Sequence, residues 1–275
     1  MKITFIGGGN MAQAIMGGLA RGGFAGADIG VVEPAAEARA KLAQDFGVKA
    51  QASAEALTAL GDLIVMAVKP QQMREAATAL RPKLQPNQVV LTIAAGIRLA
   101  DLARWLGGHA RLIRCMPNTP ALIGAGVTAA YATPAVTAEE TAQAARVLQT
   151  MGKLIWVKSE ALLDPVTAVS GSGPAYVFYF IEALEQAARE LGLEADAART
   201  LALETFLGAA KLAAGSADDP ATLRAKVTSK GGTTEAALAV MQEDKLKEAF
   251  VRAVHKANAR ALELGEQMGK DGDNH

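Results

Sequence analysis

A glycine-rich turn near the beginning of the chain constrains the fold more than any other stretch. Residues 2–12 read KITFIGGGNMA, so β-favouring residues lead directly into Gly7-x-Gly9-x-x-Ala12. This spacing matches the dinucleotide-binding fingerprint, with Ala12 in the third glycine position. Gly7 permits a tight turn, Gly9 lets backbone N–H groups approach a pyrophosphate, and Ala12 allows close packing. A turn without a ligand is the alternative.

The residues after the turn predict an amphipathic helix. Met11, Ile15 and Leu19 recur at helical spacing. The N-terminal N–H groups of such a helix, and the positive end of its dipole, would face the phosphates. We therefore expect a β-strand, a phosphate-binding turn and a helix in immediate succession.

Composition narrows the class of protein. The 275 residues suffice for one large or two ordinary domains, and 28 basic residues balance 28 acidic ones, which argues against nucleic acid or an anionic membrane as partner. The single cysteine, Cys115, suits a reducing compartment. No apolar run approaches the roughly 20 residues of a membrane span. Because the chain starts directly with a strand, we expect no leader peptide and a cytoplasmic location.

Short apolar runs alternate with helical patterns up to residue 157. This alternation predicts an α/β, doubly wound sheet over a domain of residues 1–158, with ligands at the carboxyl ends of its strands. The continuous apolar run of residues 63–68 is typical of a strand buried on both faces. The other predicted strands after the first are 29–33, 89–93, 112–116, 127–131 and 154–157, and residues 37–46 form a predicted helix.

Prolines and small residues follow four of these strands. They occur at Glu33-Pro34, 68–70, 94–96 and 116–120. Such residues allow a backbone to approach a flat ligand, so the four segments predict a shared crevice. The alternative is that proline and glycine only punctuate strand-to-helix turns.

Strand signals disappear after Ser159. Helical spacing recurs over 176–191, 195–214, 233–241 and 245–266, which predicts an all-α domain of residues 159–268. Gly192 is a candidate helix stop, and Asp218 or Asp219 a candidate cap before Pro220. The apolar helices predict a homodimer. We expect the polar residues 269–275 to form a disordered tail without a function.

Residues 227–238, VTSKGGTTEAAL, form a second distinctive stretch. Two glycines followed by two threonines open a helix, so backbone N–H groups and hydroxyls are available to a small carboxylate. The alternative is a helix cap with nothing bound. Residues 170–176, SGSGPAY, pose the same question, since Ser172 and Pro174 suit a helix start and the glycines suit close helix crossing.

Taken together, five stretches in the same order resemble the pyrroline-5-carboxylate reductase family over essentially the whole chain. They are residues 5–11, 67–70, 115–120, 170–176 and 227–238. The resemblance implies a Rossmann-type domain followed by an all-α dimerisation domain that interlaces with its partner. A neighbouring subunit can complete the pocket in this family. The sequence leaves open whether dimers assemble further. The resemblance further implies hydride transfer from NADPH or NADH to the C=N carbon of 1-pyrroline-5-carboxylate, giving L-proline in the last step of proline biosynthesis.

The resemblance also implies roles for individual residues. Thr234 is the candidate catalytic residue, as hydrogen-bond donor to the ring nitrogen with water as the proton source. Substrate-binding residues are Val227, Ser229, Gly231, Gly232, Thr233 and Thr234, with backbone N–H groups of 232–234 receiving the carboxylate. Cofactor-binding residues are Ile6, Gly7, Gly8, Gly9, Asn10, Met11, Glu33, Ala67, Val68, Lys69, Pro70, Ala94, Ala95, Gly96, Met116, Pro117 and Asn118.

Two residues depart from the family pattern. Glu33 stands where some members have a small hydroxylated residue, and a carboxylate there binds a ribose 2′-hydroxyl and repels a 2′-phosphate. No Lys or Arg follows before Arg39, so we expect NADH to serve at least as well as NADPH, unless Glu33 is merely solvated. Lys226 replaces an uncharged amide of some relatives. We expect His109, His255, His275 and Cys115 to be structural or solvated, and no metal site.

Two other functions remain open from the sequence. A reductase acting on a β-hydroxyacid or an open-chain imine would set a Lys or Asp beside the reacting carbon, whereas hydroxyls flank the glycine pair here. A non-enzymatic nicotinamide sensor would bind nucleotide without turnover.

Overall fold

A computed structural model describes residues 1–270, and its contacts divide the chain into two units. Unit 1 comprises Met1–Ser172 together with the chain from Ala257 onward, and unit 2 is Gly173–Lys256.

Unit 1 contains one eight-stranded sheet with the order β3-β2-β1-β4-β5-β6-β7-β8. All neighbours pair in parallel except β6 and β7. The first six strands therefore follow the order 3-2-1-4-5-6 of dinucleotide-binding sheets. The strands are β1 Ile3–Ile6, β2 Ile29–Val32, β3 Lys49–Gln51, β4 Leu63–Met66, β5 Val89–Thr92, β6 Leu112–Met116, β7 Gly126–Ala132 and β8 Gly152–Trp156.

Helices cover both faces of this sheet. One apolar layer joins Phe5 and Val65 to the first and fifth helices, and the other joins Ile64 and Met66 to the third and fourth. The apolar run of residues 63–66 is thus buried on both faces, as its composition predicts. The helices are α1 Asn10–Arg21, α2 Ala36–Phe46, α3 Met73–Leu80, α4 Leu99–Trp105, α5 Ala138–Leu148 and α6 Leu163–Val166, the last continued by a π-helical turn, Thr167–Gly171.

All seven predicted strands form, with ends that shift by one or two residues. Two features of the sheet were not predicted. β3 is a three-residue edge strand whose side chains are largely exposed, so its apolar signal is weak. β7 runs antiparallel to β6 because the short 3₁₀ link Thr119–Ile123 is too small for the crossover that parallel neighbours need.

Unit 2 is helical, as predicted. Its helices are α7 Gly173–Glu190, α8 Ala195–Gly215, α9 Pro220–Lys226, α10 Thr233–Glu243 and the first part, up to Lys256, of α11 Leu246–Lys270. Gly192, with φ +92°, follows the end of α7. Asp219, rather than Asp218, caps α9 by accepting the Ala221 and Thr222 N–H groups at 2.8 and 2.9 Å.

The last helix extends further than its sequence pattern indicates. Gly269 and Lys270, placed in the predicted tail, belong to α11. The Gly269 carbonyl accepts a 3.2 Å hydrogen bond from Arg104, which ties this end of the helix to α4 within unit 1. The remaining tail, 271–275 including His275, lies outside the described residues. Within residues 1–270 no helix is long and apolar enough to cross a membrane.

Candidate active site

The turn after β1 requires glycine at its first position. Gly7 has φ +100°, and a Cβ there would lie 2.8 Å from the Ala67 carbonyl oxygen. Its N–H donates to the Val32 carbonyl at 2.8 Å. Gly7 therefore joins the carboxyl ends of β1, β2 and β4, where a side chain would force the strands apart.

Gly9 is a glycine for a different reason. Its φ of −68° suits any residue, and a Cβ there would meet nothing within 4 Å. Gly9 is the N-cap of α1, and no side chain of the described chain caps this helix. The open space and the uncapped N–H groups fit a pyrophosphate, because a helix N-terminus attracts and hydrogen-bonds anions.

Glu33, directly after β2, lies against the same turn. Its Oε2 accepts the Gly8 N–H at 3.1 Å and its Oε1 accepts the Ala35 N–H at 3.0 Å. Arg39 donates to the carbonyls of Glu33 and Pro34 at 2.8 and 2.6 Å. A held carboxylate at the end of the second strand is the arrangement that binds a ribose 2′-hydroxyl, although the Arg39 guanidinium from α2 contacts the same loop.

Topology places the other predicted cofactor segments at the same edge. β2, β1, β4, β5 and β6 are consecutive parallel neighbours, so the segments that follow them, 67–70, 94–96 and 116–118, share the carboxyl edge of the sheet. Ala94 and Pro117 are buried, whereas Lys69 and Ala95 are exposed. The Asn118 side chain accepts the Val127 N–H at 2.9 Å, which fixes the loop after β6.

The glycine–threonine turn lies in unit 2. Gly231 has φ +73°, and its N–H donates to Glu235 Oε2 at 2.6 Å. The Gly232 N–H donates to the Ser229 carbonyl at 3.0 Å. Of the three N–H groups implied by the resemblance, the Gly232 one is therefore engaged, and only those of Thr233 and Thr234 have no acceptor in the described chain.

The remaining substrate candidates lie beside this turn. Val227 and Ser229 lie in the segment between α9 and α10, and both are exposed. Thr234 is half-buried and Thr233 exposed. Lys226 is paired with Asp218, so its ammonium is engaged within unit 2.

Among residues 1–270, the two histidines and the cysteine show no catalytic arrangement. His109 precedes β6, and its Nε2 lies 2.8 Å from the Gln88 carbonyl oxygen; burial lowers its pKa. Cys115 is fully buried in β6, and burial strongly raises the pKa of its thiol, so the reactive thiolate is disfavoured. His255 is exposed on α11. Across residues 1–270 no group of His, Cys, Asp and Glu is arranged to hold a metal ion.

A buried charged cluster was not anticipated from the sequence. Arg114 on β6 is paired with Glu160 and Asp164, which lie after β8. One sequence feature could have indicated this cluster. Arg114 is a single arginine within the apolar strand Leu112–Met116, and a buried charge has to be paired. Its partners, 46 and 50 residues away, gave no sequence signal.

The strand order, the glycine turn and the uncapped start of α1 together define a dinucleotide-binding protein of the Rossmann type. This protein also has a second, helical unit. Residues 160–264 match the family described as pyrroline-5-carboxylate reductase dimerisation, and residues 2–96 the one described as NADP oxidoreductase coenzyme F420-dependent. The chain is 44% identical over 269 residues to the pyrroline-5-carboxylate reductase of Pseudomonas aeruginosa, covering 98% of both chains. The Escherichia coli enzyme of the same name is 39% identical over 98% of both chains. The chain belongs to the pyrroline-5-carboxylate reductase family.

Solved structures agree with this assignment. A pyrroline-5-carboxylate reductase from Coxiella burnetii superposes with a TM-score of 0.90 at 37% identity, over 96% of this chain and 98% of that one. A Plasmodium falciparum pyrroline carboxylate reductase with NADP bound gives a TM-score of 0.86 at 26% identity, with the same coverage. The family assignment and the fold thus rest on the whole length of the chain.

Proposed function

We propose that this protein reduces 1-pyrroline-5-carboxylate to L-proline with a hydride from NAD(P)H, the last step of proline biosynthesis. The match over 98% of both chains to a reductase of that name carries the proposal, because it includes both units. The protein acts as a homodimer through its helical unit, which matches the dimerisation family. We place the reaction in the cytoplasm, where the reduced Cys115 and a supply of NAD(P)H are expected.

In this proposal unit 1 binds the cofactor. Residues 6–11 hold the pyrophosphate, since the space beside Gly9 and the N–H groups of α1 are available to it. Glu33 contacts the adenosine ribose, residues 67–70 and 94–96 line the adenosine and nicotinamide side, and residues 116–118 lie near the nicotinamide. NAD(P)H, when bound, supplies the hydride.

Unit 2 binds the substrate in this proposal. The free N–H groups of Thr233 and Thr234, at the positive end of the α10 dipole, receive the carboxylate. Residues 227, 229, 231 and 232 shape the turn around it. The Thr234 hydroxyl donates a hydrogen bond to the electron pair of the ring nitrogen, which the neutral imine carries and which forms again as hydride reaches the iminium carbon. Water supplies the proton that converts the imine to the iminium.

The residues have little covalent chemistry to perform. A protonated cyclic imine already accepts hydride readily at its C=N carbon, and the ring nitrogen keeps its proton as the C–H bond forms. The contribution of the protein is to hold donor and acceptor carbons about 3–3.5 Å apart and to exclude water. The absence of a catalytic histidine or thiolate among the described residues is compatible with that demand.

Oxidation of NADH and of NADPH by the purified protein, each with 1-pyrroline-5-carboxylate, tests the function. We expect rapid turnover that yields one proline for each nucleotide oxidised. Turnover only with a β-hydroxyacid or an open-chain imine would assign the chain to another reductase class. Nucleotide binding without turnover on any of these substrates would favour the sensor.

Replacing Thr234 tests the hydrogen-bond donor. We expect Thr234→Ala to lower kcat by about 10–100-fold, because removing one partner of a buried hydrogen bond costs about 1–3 kcal/mol. Thr234→Ser, which keeps the hydroxyl, should retain most of the activity. Unchanged kcat and KM in the alanine variant would remove the side chain from the mechanism.

A further inference from the structure

A guanidinium group is buried in β6, two residues before the loop that we assign to the nicotinamide. Arg114 is 4% exposed. Its Nη1 lies 3.0 Å from Glu160 Oε1 and its Nη2 lies 3.0 Å from Asp164 Oδ1. A buried cation is stable only when it is paired, and either carboxylate neutralises Arg114. The need to neutralise Arg114 therefore explains the presence of one carboxylate but not of the second.

Glu160 makes a second contact that Asp164 does not make. Its Oε1 also accepts the Leu99 N–H at 2.8 Å. Leu99 is the first residue of α4, and the N-cap residue Arg98 provides no side-chain cap. One carboxylate oxygen therefore caps α4 and binds the strand β6. Residues 94–96 lie in the segment before α4, and residues 116–118 form the end of β6 and the start of the loop after it, so Glu160 connects the two loops.

The helical segment of residues 160–171, which begins with Glu160, also contacts the end of β6 at a second point. Arg114 and Met116 lie on one face of the strand, because side chains alternate. A Cβ on Gly171 would lie 2.6 Å from Met116 Cε, so this glycine makes room for the methionine. Gly171 ends the π-helical turn that continues α6 beyond Asp164. Single π-helical turns are frequent at functional sites.

We propose that Glu160 is a positioning residue for hydride transfer. It holds the loops after β5 and β6 at a fixed separation, and so orients the nicotinamide ring that they line. This inference rests on the proposed function and deepens it. The effect acts through the two loops, and Glu160 itself does not contact substrate or cofactor.

Kinetics of Glu160→Ala separate positioning from binding. We expect kcat to fall by about 10–100-fold, the cost of a misplacement of the reacting groups on the order of 1 Å. KM for NADH should change by less than about threefold, because the pyrophosphate turn at residues 6–11 is untouched and supplies most ground-state binding. A primary isotope effect from 4-deuterated NADH should grow as hydride transfer becomes slower.

Two further variants provide rescue and a matched control. Glu160→Gln keeps an oxygen that accepts the Leu99 N–H, so it should recover most of kcat. Asp164→Asn removes the other negative charge beside Arg114 but disconnects neither loop, so its kcat should stay within about threefold of the parent value. Leu148→Ala, a fully buried residue of α5, reports the effect of general destabilisation on kcat when melting temperatures are compared.

Three results would overturn the inference. Equal losses of kcat in Glu160→Ala and Asp164→Asn would reduce Glu160 to a charge partner. A change in KM alone would make it a binding determinant, and a loss matched by Leu148→Ala would make it a stability determinant. An inactive parent protein would overturn the proposed function together with this inference, whereas an active parent with any of the first three results overturns this inference alone.

Discussion

The two units of this chain bury their apolar side chains to very different extents. Unit 1 encloses two hydrophobic layers around its sheet, and its largest buried side chains, such as Phe5 and Met66, are almost fully shielded from solvent. Unit 2 buries only Ala198 and Ala202. In α7 the neighbouring residues Phe178 and Tyr179 are 64% and 68% exposed.

This difference shows that unit 1 has the core of an independent domain and that unit 2 does not. Contiguous exposed apolar surface of this kind marks an obligate interface rather than a monomer surface. The match to a dimerisation family identifies the covering partner as a second copy of the chain. The aromatic contacts Tyr176–Phe250 and Phe180–Phe250 pack α7 against α11 within unit 2.

The largest expected effect comes from a charge on the apolar face of unit 2. Phe178→Asp should abolish the dimer and the activity, because an unpaired charge buried in an interface costs several kcal/mol. Ala40→Asp places the same charge on an exposed helix position of unit 1 and should leave both intact. Analytical ultracentrifugation and the reductase assay measure the outcome. A dimeric, active Phe178→Asp protein would show that this face is not the interface.

The second prediction contrasts two glycines within unit 1. Gly7→Ala should lower stability by about 1–3 kcal/mol, because its Cβ contacts the Ala67 carbonyl and φ is positive. Gly9→Val should leave the melting temperature unchanged and raise KM for NADH by about 10–100-fold through lost phosphate hydrogen bonds. Melting curves and initial rates distinguish them. An unchanged KM in Gly9→Val would contradict the pyrophosphate assignment.

The third prediction concerns the choice between the two cofactors. Glu33→Ser should shift the ratio of kcat/KM for NADPH over NADH upward by about tenfold, because a carboxylate repels the 2′-phosphate. Arg39, which contacts the same loop, then remains as the nearby cation. Lys41→Ala is the control, because Lys41 lies on the exposed face of α2, the helix that also carries Arg39. A constant ratio in Glu33→Ser would indicate that its carboxylate faces away from the ribose.

The smallest effect is a pH dependence within unit 1. Burial lowers the pKa of His109 in the folded chain, with the Gln88 carbonyl raising it and Arg111 lowering it. The unfolded state therefore binds more protons below about pH 6.5, and stability falls as the pH drops towards the folded pKa. His109→Gln should make the decrease in melting temperature between pH 7 and 5.5 smaller, which melting curves at the two pH values measure. An identical decrease in both proteins would refute this role of His109.

Local signals were sufficient for most of the fold. The apolar run of residues 63–68 predicted a doubly buried strand, and Gly7-x-Gly9 predicted the turn, because both depend on neighbouring residues in the chain. β3 was not predicted because an edge strand has little apolar pattern. The direction of β7 was not predicted because it depends on the length of the link to β6. The candidate site divides in the same way. Gly9 was predicted from its spacing in the glycine turn and Glu33 from its place at the end of the second strand, whereas the partners of Arg114 were not predicted.

The sequence by itself determined the nucleotide turn, the alternation of strands and helices in unit 1, the helical unit 2 and the family, since these follow from periodicity and short motifs. Only the tertiary structure decided that Gly232 donates to Ser229, that Glu33 accepts from Gly8, and that Glu160 connects α4 to β6. The last two join residues 25 and 61 positions apart, and which distant groups meet depends on how the whole sheet and its helices pack.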